Sequence, residues 1–262
     1  TISAAQLAVD LLQSCAAPEI EAPARLWWGL ALYRLGKYDE AVQRVEHALQ
    51  LARQAGLPVV EADGLRALGN LALLRGEYPL AAERYQQSLD LSLRCGERRS
   101  LSNTLLNLGV VSLEMNHLDE AIQLYQQALN HTRQNGDRRL EGLALGNLGE
   151  IAIRQHRMIE ALDYLYQTLA LFDEIGERYG KATVSANLAE AYVLLGQFEQ
   201  AQMTLEAAMT LYQQIGDRRG QSVALETYAH LLRVSGQSQA ACDVAQQAEQ
   251  LAGEVGALPV QA

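Results

Sequence analysis

The chain is predicted to be all-α, an α-solenoid of about six stacked helical hairpins preceded by one unpaired helix, and three observations predict it. The 262 residues are 49% hydrophobic and 20% charged, with only five prolines, which is helix-forming material with few breakers. Gly56, Gly96, Gly136, Gly176, Gly216 and Gly256 recur every 40 residues without slippage, in register with Ala41, Ala81, Ala121, Ala161, Ala201 and Ala241. Between these marks the apolar residues keep helical spacing, as in Leu101, Leu105, Leu108 and Val111, or Leu118, Ile122, Tyr125 and Leu129.

Each element follows from those columns. Residues 1–16 align with the text beginning at Ala81, Cys15 falling over Cys95, so the chain opens with helix B of a hairpin whose helix A is missing, as expected of a piece of a longer protein. The hairpins lie near 22–56, 60–96, 99–136, 139–176, 179–216 and 219–256, within one domain over 1–262. Their A helices are predicted to begin near Pro23, Glu61, Leu101, Glu141, Lys181 and Gln221. Helix A stops at Gly36, Gly76, Asn116, His156, Gly196 and Gly236, a column filled by residues that tolerate positive φ. Acids such as Asp39-Glu40 and Asp119-Glu120 then open helix B, where the partial positive charge of a helix N-terminus favours them. The alanine column is small because helices A and B approach closely there.

Composition excludes several classes of function. A formal net charge of −10 repels a phosphate backbone, so no nucleic-acid partner is expected. No apolar run has the length needed to cross a bilayer, so no membrane partner is expected either. Cys15, Cys95 and Cys242 are odd in number and far apart, which indicates neither a disulfide framework nor a metal knuckle. They read as small core residues in a reducing, cytoplasmic setting. There is no Gly-Lys-Ser/Thr triplet, no HExxH among the five histidines and no Gly-x-Ser-x-Gly elbow. We therefore expect no catalysis, no cofactor and no metal.

The pattern inside each unit identifies the kind of repeat. Asn107-Leu108-Gly109 in helix A, followed by Leu118-Asp119-Glu120-Ala121, Tyr125 and Ala128-Leu129 in helix B, resembles the tetratricopeptide repeat (TPR). Asn147-Leu148-Gly149 and Asn187-Leu188-Ala189 repeat the signature, and Ala67-Leu68-Gly69 does so less fully. The 40-residue period matches the long variant of kinesin light chains, Partner-of-Inscuteable-type polarity adaptors and the sensor regions of signal-transduction ATPases with numerous domains (STAND). The links Gly136-Asp137-Arg138-Arg139 and Gly216-Asp217-Arg218-Arg219 look most like bacterial members of the last group. The resemblance implies a right-handed TPR superhelix with a concave groove lined by helix A. It also implies a binding module that takes a peptide, protein segment or small effector, most simply the sensor of a STAND-type ATPase or transcription regulator. A scaffold bridging partner proteins, or a peptide-pheromone receptor, has the same architecture. An end repeat cut in mid-hairpin is expected to favour self-association.

With Leu68-Gly69 as core register, helical steps of three and four turn Asn70, Asn107, Asn147, Asn187, Glu150, Glu190, Arg66 and Arg154 inward, together with Leu73, Val110, Leu113 and Ile153. Asparagine is a mediocre helix former, so its recurrence at one register needs a reason. Its carboxamide both donates and accepts, and can grip a peptide backbone or bond a neighbouring helix to hold the repeats in register. Both readings fit. Glu150 and Glu190 would favour a basic or amine-bearing ligand, or are solvated charges on an acidic protein. Arg98, Arg138, Arg178 and Arg218 read as clamps on the last carbonyls of the preceding helix B. Of Trp27-Trp28 one is core, and the other is free to cover the first hairpin's open end or to meet a neighbouring domain.

Overall fold

Alanine- and leucine-rich text with left-handed punctuation produces twelve helices among the described residues, with no strand. The structure, a computed structural model, describes residues 17–96 and 98–257, so the orphan helix expected over 1–16 lies outside it. The helices are α1 (Pro18–Arg34), α2 (Tyr38–Gln54), α3 (Pro58–Leu74), α4 (Tyr78–Cys95), α5 (Arg98–Glu114) and α6 (Leu118–Asn135), then α7 (Arg138–Arg154), α8 (Met158–Ile175), α9 (Arg178–Leu194), α10 (Phe198–Ile215), α11 (Arg218–Val234) and α12 (Ser238–Ala257). Odd-numbered helices are A and even-numbered ones B. The chain divides into two compact units, the division falling inside α6 between His131 and Thr132.

The turn column behaves as its chemistry requires. Asn116 and His156 have φ of 61° and 56°, and the glycines that fill the column elsewhere share the left-handed region. Gly256 is an exception among the B-helix ends, since α12 continues through it to Ala257. The A helices begin three to five residues earlier than expected. Pro18 and Pro58 stand in the first turns of α1 and α3, where a missing N–H costs nothing, while Pro23 is carried inside α1. Asp137 and Asp217 cap α7 and α11 by accepting from the Leu140 and Gly220 amides at 3.0 Å, and Glu177 caps α9 on Gly180 in the same way.

Packing within a hairpin rests on small residues. The alanine column is sealed: Ala41, Ala81, Ala121, Ala161 and Ala201 are fully buried. One step further along, side chains of helix B lie directly on a glycine of helix A. A Cβ on Gly69 would stand 2.5 Å from Cε1 of Tyr85, and one on Gly109 would stand 2.4 Å from the same atom of Tyr125. In the second unit leucine replaces the tyrosine: Leu165 lies over Gly149, where a Cβ would stand 2.9 Å from it, while the buried Leu205 shares a core with the larger Ala189. Consecutive A helices also approach one another, α1 with α3 and α3 with α5 in the first unit, α7 with α9 and α9 with α11 in the second. Among the described residues the B helices α2 and α4, or α8 and α10, make no such approach. Within each unit the A-helix side is therefore the inner one.

Two expectations need correction. Cys95 and Cys242 are exposed rather than core, because Cys95 is the last residue of α4 and Cys242 lies on a side of α12 over which no described helix packs. Cys15 lies outside the described residues. Arg138 and Arg218 do not clamp carbonyls of the preceding helix, and the side chain of Arg98 lies outside the described residues. Arg138 and Arg218 instead reach Glu174 and Glu254, at 2.7 and 2.6 Å, in the last turn of the B helix of their own hairpin. Each charge opposes the dipole of its own helix, but the hairpin is antiparallel, so the arginine sits beside one helix's C-terminus and the glutamate beside the other's N-terminus. Of the tryptophans, Trp28 is core, with the Arg44 guanidinium 3.9 Å above its ring, and Trp27 is 68% exposed.

Candidate functional site

In the first unit the predicted groove residues are bonded to one another. The Tyr85 hydroxyl, on α4, donates to Oδ1 of Asn70 on α3 at 2.7 Å. Nδ2 of Asn107, on α5, donates to the same oxygen at 2.9 Å. Both lone pairs of one amide oxygen thus tie three helices together. Tyr85 is completely buried, and that burial pushes its phenol well above the usual range, with Tyr33 adding to the shift and Arg66 opposing it. Arg66 pairs with Asp63 at 3.0 Å, and Asp63 also accepts from the Ser100 hydroxyl at 3.4 Å.

The second unit has the same positions and different chemistry. Forty-residue steps place Glu150 and Glu190 where the first unit has Asn70, Leu165 and Leu205 where it has Tyr85, and Asn187 and Thr227 where it has Asn107. The hydroxyl donor is gone and the central oxygen has become a carboxylate, so the network has nothing to close it. Glu150 instead takes Arg154 of its own helix at 2.7 Å. Partial burial raises the Glu190 carboxyl first, the Glu150 carboxylate raises it further, and Arg154 and His230 act in the opposite direction. Asn147 and Asn187 are half-buried and make no side-chain hydrogen bond to a described residue.

The eight predicted site residues therefore separate. Asn70, Asn107 and Arg66 belong to the bonded set of α3 and α5, whereas Glu150, Arg154 and Glu190 form one electrostatic group across α7 and α9. His230 of α11 joins that group; its signal in the sequence is that it stands 40 residues after Glu190. Tyr85 stands forty residues before Tyr125, and nothing in that column marks it as the donor that occupies Asn70. Among the inward aliphatics, Leu113 and Ile153 are buried in the core and only Leu73 and Val110 are half-exposed. Among the described residues no group of His, Cys, Asp or Glu is placed to hold a metal, and no helix is long and apolar enough to cross a membrane.

Comparison with known proteins gives the same architecture. A family model described as tetratricopeptide repeat matches residues 21–94, 60–134 and 140–214. No curated protein sequence matches the chain. Among solved structures, apo RapI superimposes with a TM-score of 0.78 at 15% identity, covering 97% of this chain and 91% of that one. A Rap protein complexed with competence and sporulation factor gives 0.70 at 15% identity, with 95% and 74% covered. A STAND protein with a tetratricopeptide repeat sensor, from Pyrococcus horikoshii, gives 0.69 at 14% identity, covering 90% of this chain and 36% of that one.

Proposed function

The chain belongs to the tetratricopeptide repeat family, and we propose that it is a non-catalytic recognition domain whose ligand lies on the A-helix side of its second unit. The observation that carries this reading is the contrast between the units: the polar positions that satisfy one another in the first are left open in the second. Glu150 and Glu190 share Arg154, so the group has a carboxylate to spare for a cation. Asn147 and Asn187 have donors and acceptors for the main chain of an extended segment. The ligand chemistry is a basic peptide or protein segment, or an amine-bearing effector. Asn70 and Asn107 hold the helices in register.

In this reading the chain serves in the cytoplasm as the ligand-sensor region of a STAND-type signal-transduction ATPase. Its ligand must bind the active arrangement of the parent better than the resting one, since only differential affinity shifts an equilibrium. A second reading, a peptide receptor, is favoured by the likeness to a Rap protein complexed with competence and sporulation factor. Both use the same face.

The test is a fluorescence-anisotropy titration with lysine-rich, neutral and glutamate-rich synthetic peptides. The lysine-rich set is expected to bind. Changing Asn147 and Asn187 together to alanine is expected to weaken that binding about tenfold, the worth of roughly one to two hydrogen bonds, with melting unchanged. Changing Asn70 and Asn107 together should do the reverse, costing about 1–2 kcal/mol of stability and leaving affinity intact. Equal loss of affinity in the two double variants would refute the assignment.

Glu190 supplies a pH test. Its folded carboxyl titrates above the ordinary carboxylate range, so the folded state holds a proton that the unfolded state releases earlier. Stability is then lost as pH rises through that window. Glu190→Gln should melt like the wild type below the window and at a higher temperature above it, while the affinity of the wild type for lysine-rich peptides rises with pH over the same range. A variant that melts lower at neutral pH contradicts this.

A further inference from the structure

A cleft of about 390 Å³ opens in the second unit where the start of α10 faces the end of α11, lined by Phe198, Glu199, Gln202, Tyr228, Leu232 and Ser235 among others. Its volume is at the small end of the ~300–1,000 Å³ of ligand sites. Departures from the repeat create it. The position of Gln202 carries Val42, Ile122 and Leu162 in three other hairpins and the small Ala82 and Cys242 in two, whereas Gln202 is exposed and donates to Glu206 at 2.9 Å. The position of Ser235 carries Leu35, Arg75, Met115 and Leu195 elsewhere, all long side chains.

One junction of the first unit fills the equivalent space with an ion pair. There Asp39 and Arg75, which stand 160 residues before Glu199 and Ser235, form an ion pair at 2.5 Å. Two other hairpins put uncharged residues at both positions, Pro79 with Met115 and Ile159 with Leu195, and a third sets Asp119 opposite the neutral but long Gln155. At the cleft the acid is present and a short serine stands where the other hairpins carry a long side chain, its hydroxyl turning back to the Leu232 carbonyl at 3.1 Å. Among the described residues Glu199 has no ion-pair partner and the Tyr228 hydroxyl has no hydrogen bond.

We propose that this cleft binds a guanidinium group carried on an apolar stem, as in an arginine side chain or a free alkylguanidine. The cation takes the place that Arg75 holds in the first unit, beside the Glu199 carboxylate and within the reach of the Tyr228 hydroxyl. The stem lies against Phe198, Leu232 and the ring of Tyr228. A neutral isostere gains the apolar contact without the charge pair. The site uses none of the residues assigned to the inner face, so each can fail without the other.

The experiment is an NMR titration of the full chain with agmatine, acetyl-arginine amide and acetyl-citrulline amide, which has nearly the same stem and a neutral head. The guanidinium probes are expected to shift the Tyr228 and Ser235 resonances, with the citrulline probe weaker by about tenfold. Saturation by acetyl-arginine amide assigns the cleft to an arginine of a polypeptide, and saturation by agmatine alone assigns it to a small guanidine. Glu199→Gln should weaken the cationic probes about tenfold, and Ser235→Arg should abolish their binding by rebuilding the first unit's ion pair. Both residues are exposed, so neither change threatens the fold. Absence of binding, equal binding of the citrulline probe, or indifference to Glu199→Gln would each overturn the proposal.

Discussion

Replacing Gly69 by alanine is expected to destabilise the first unit by about 1–3 kcal/mol, although alanine is the better helix former by about 1 kcal/mol. The added methyl would stand 2.5, 2.7 and 3.0 Å from Cε1, Cδ1 and Cζ of Tyr85. That ring is wholly buried and held by its hydroxyl to Asn70, so it has no room to withdraw. If it moves, the bond to Asn70 breaks and leaves Asn107 as that oxygen's remaining donor. The second unit shows the remedy, since Ala189 and Leu205 share a core there. Tyr85→Leu combined with Gly69→Ala should recover part of the loss, and a double-mutant cycle by denaturant unfolding should find the two changes strongly coupled. Additive effects would mean that the ring does not set the size of the helix A residue beneath it.

Reversing the charge of Glu190 is expected to have the largest effect on recognition. Glu190→Lys places a cation beside Glu150, removes the repulsion that raises the native carboxyl and leaves the buried core untouched. Melting should be unchanged or slightly raised. Binding of a lysine-rich peptide should fall about thirtyfold, because an attraction becomes a repulsion at one point of the surface. The loss should shrink as salt is added. Loss of binding together with loss of folding would assign Glu190 to structure instead.

Much of the fold was legible because the repeat is punctuated by residues with narrow conformational roles. Asn116 and His156 are readable as turn residues only because they stand in a glycine column, and both have positive φ. The starts of the A helices were misplaced because Pro23 resembles a first-turn proline and is not one, while the capping carboxylates of Asp137 and Asp217 sit in text that reads equally well as a link. The arginines were assigned to backbone carbonyls because their carboxylate partners lie 36 residues away, at Glu174 and Glu254. No short-range pattern shows such a pair.

The asparagines show why the site was harder to read than the fold. A column displays identity, not partnership. Asn107 and Asn187 occupy one register, yet the first is bonded to Asn70 and the second is not, because the positions that surround them have changed from Asn and Tyr to Glu and Leu. Reading three columns jointly would have separated them, and reading one could not. The Glu199 cleft is the same lesson on the opposite helix pair, where an acid opposite a short serine becomes visible only against the ion pair of Asp39 and Arg75.

Amide hydrogen exchange, with and without a saturating lysine-rich peptide, tests most directly whether ligand sits on the A-helix side of the second unit. Bound peptide is expected to slow exchange in α7, α9 and α11, around Asn147, Asn187 and Glu190, while α3 and α5 stay as they are. Protection confined to α3 and α5, or to the outer helices α8 and α10, would contradict the assignment, as would no protection with any peptide charge.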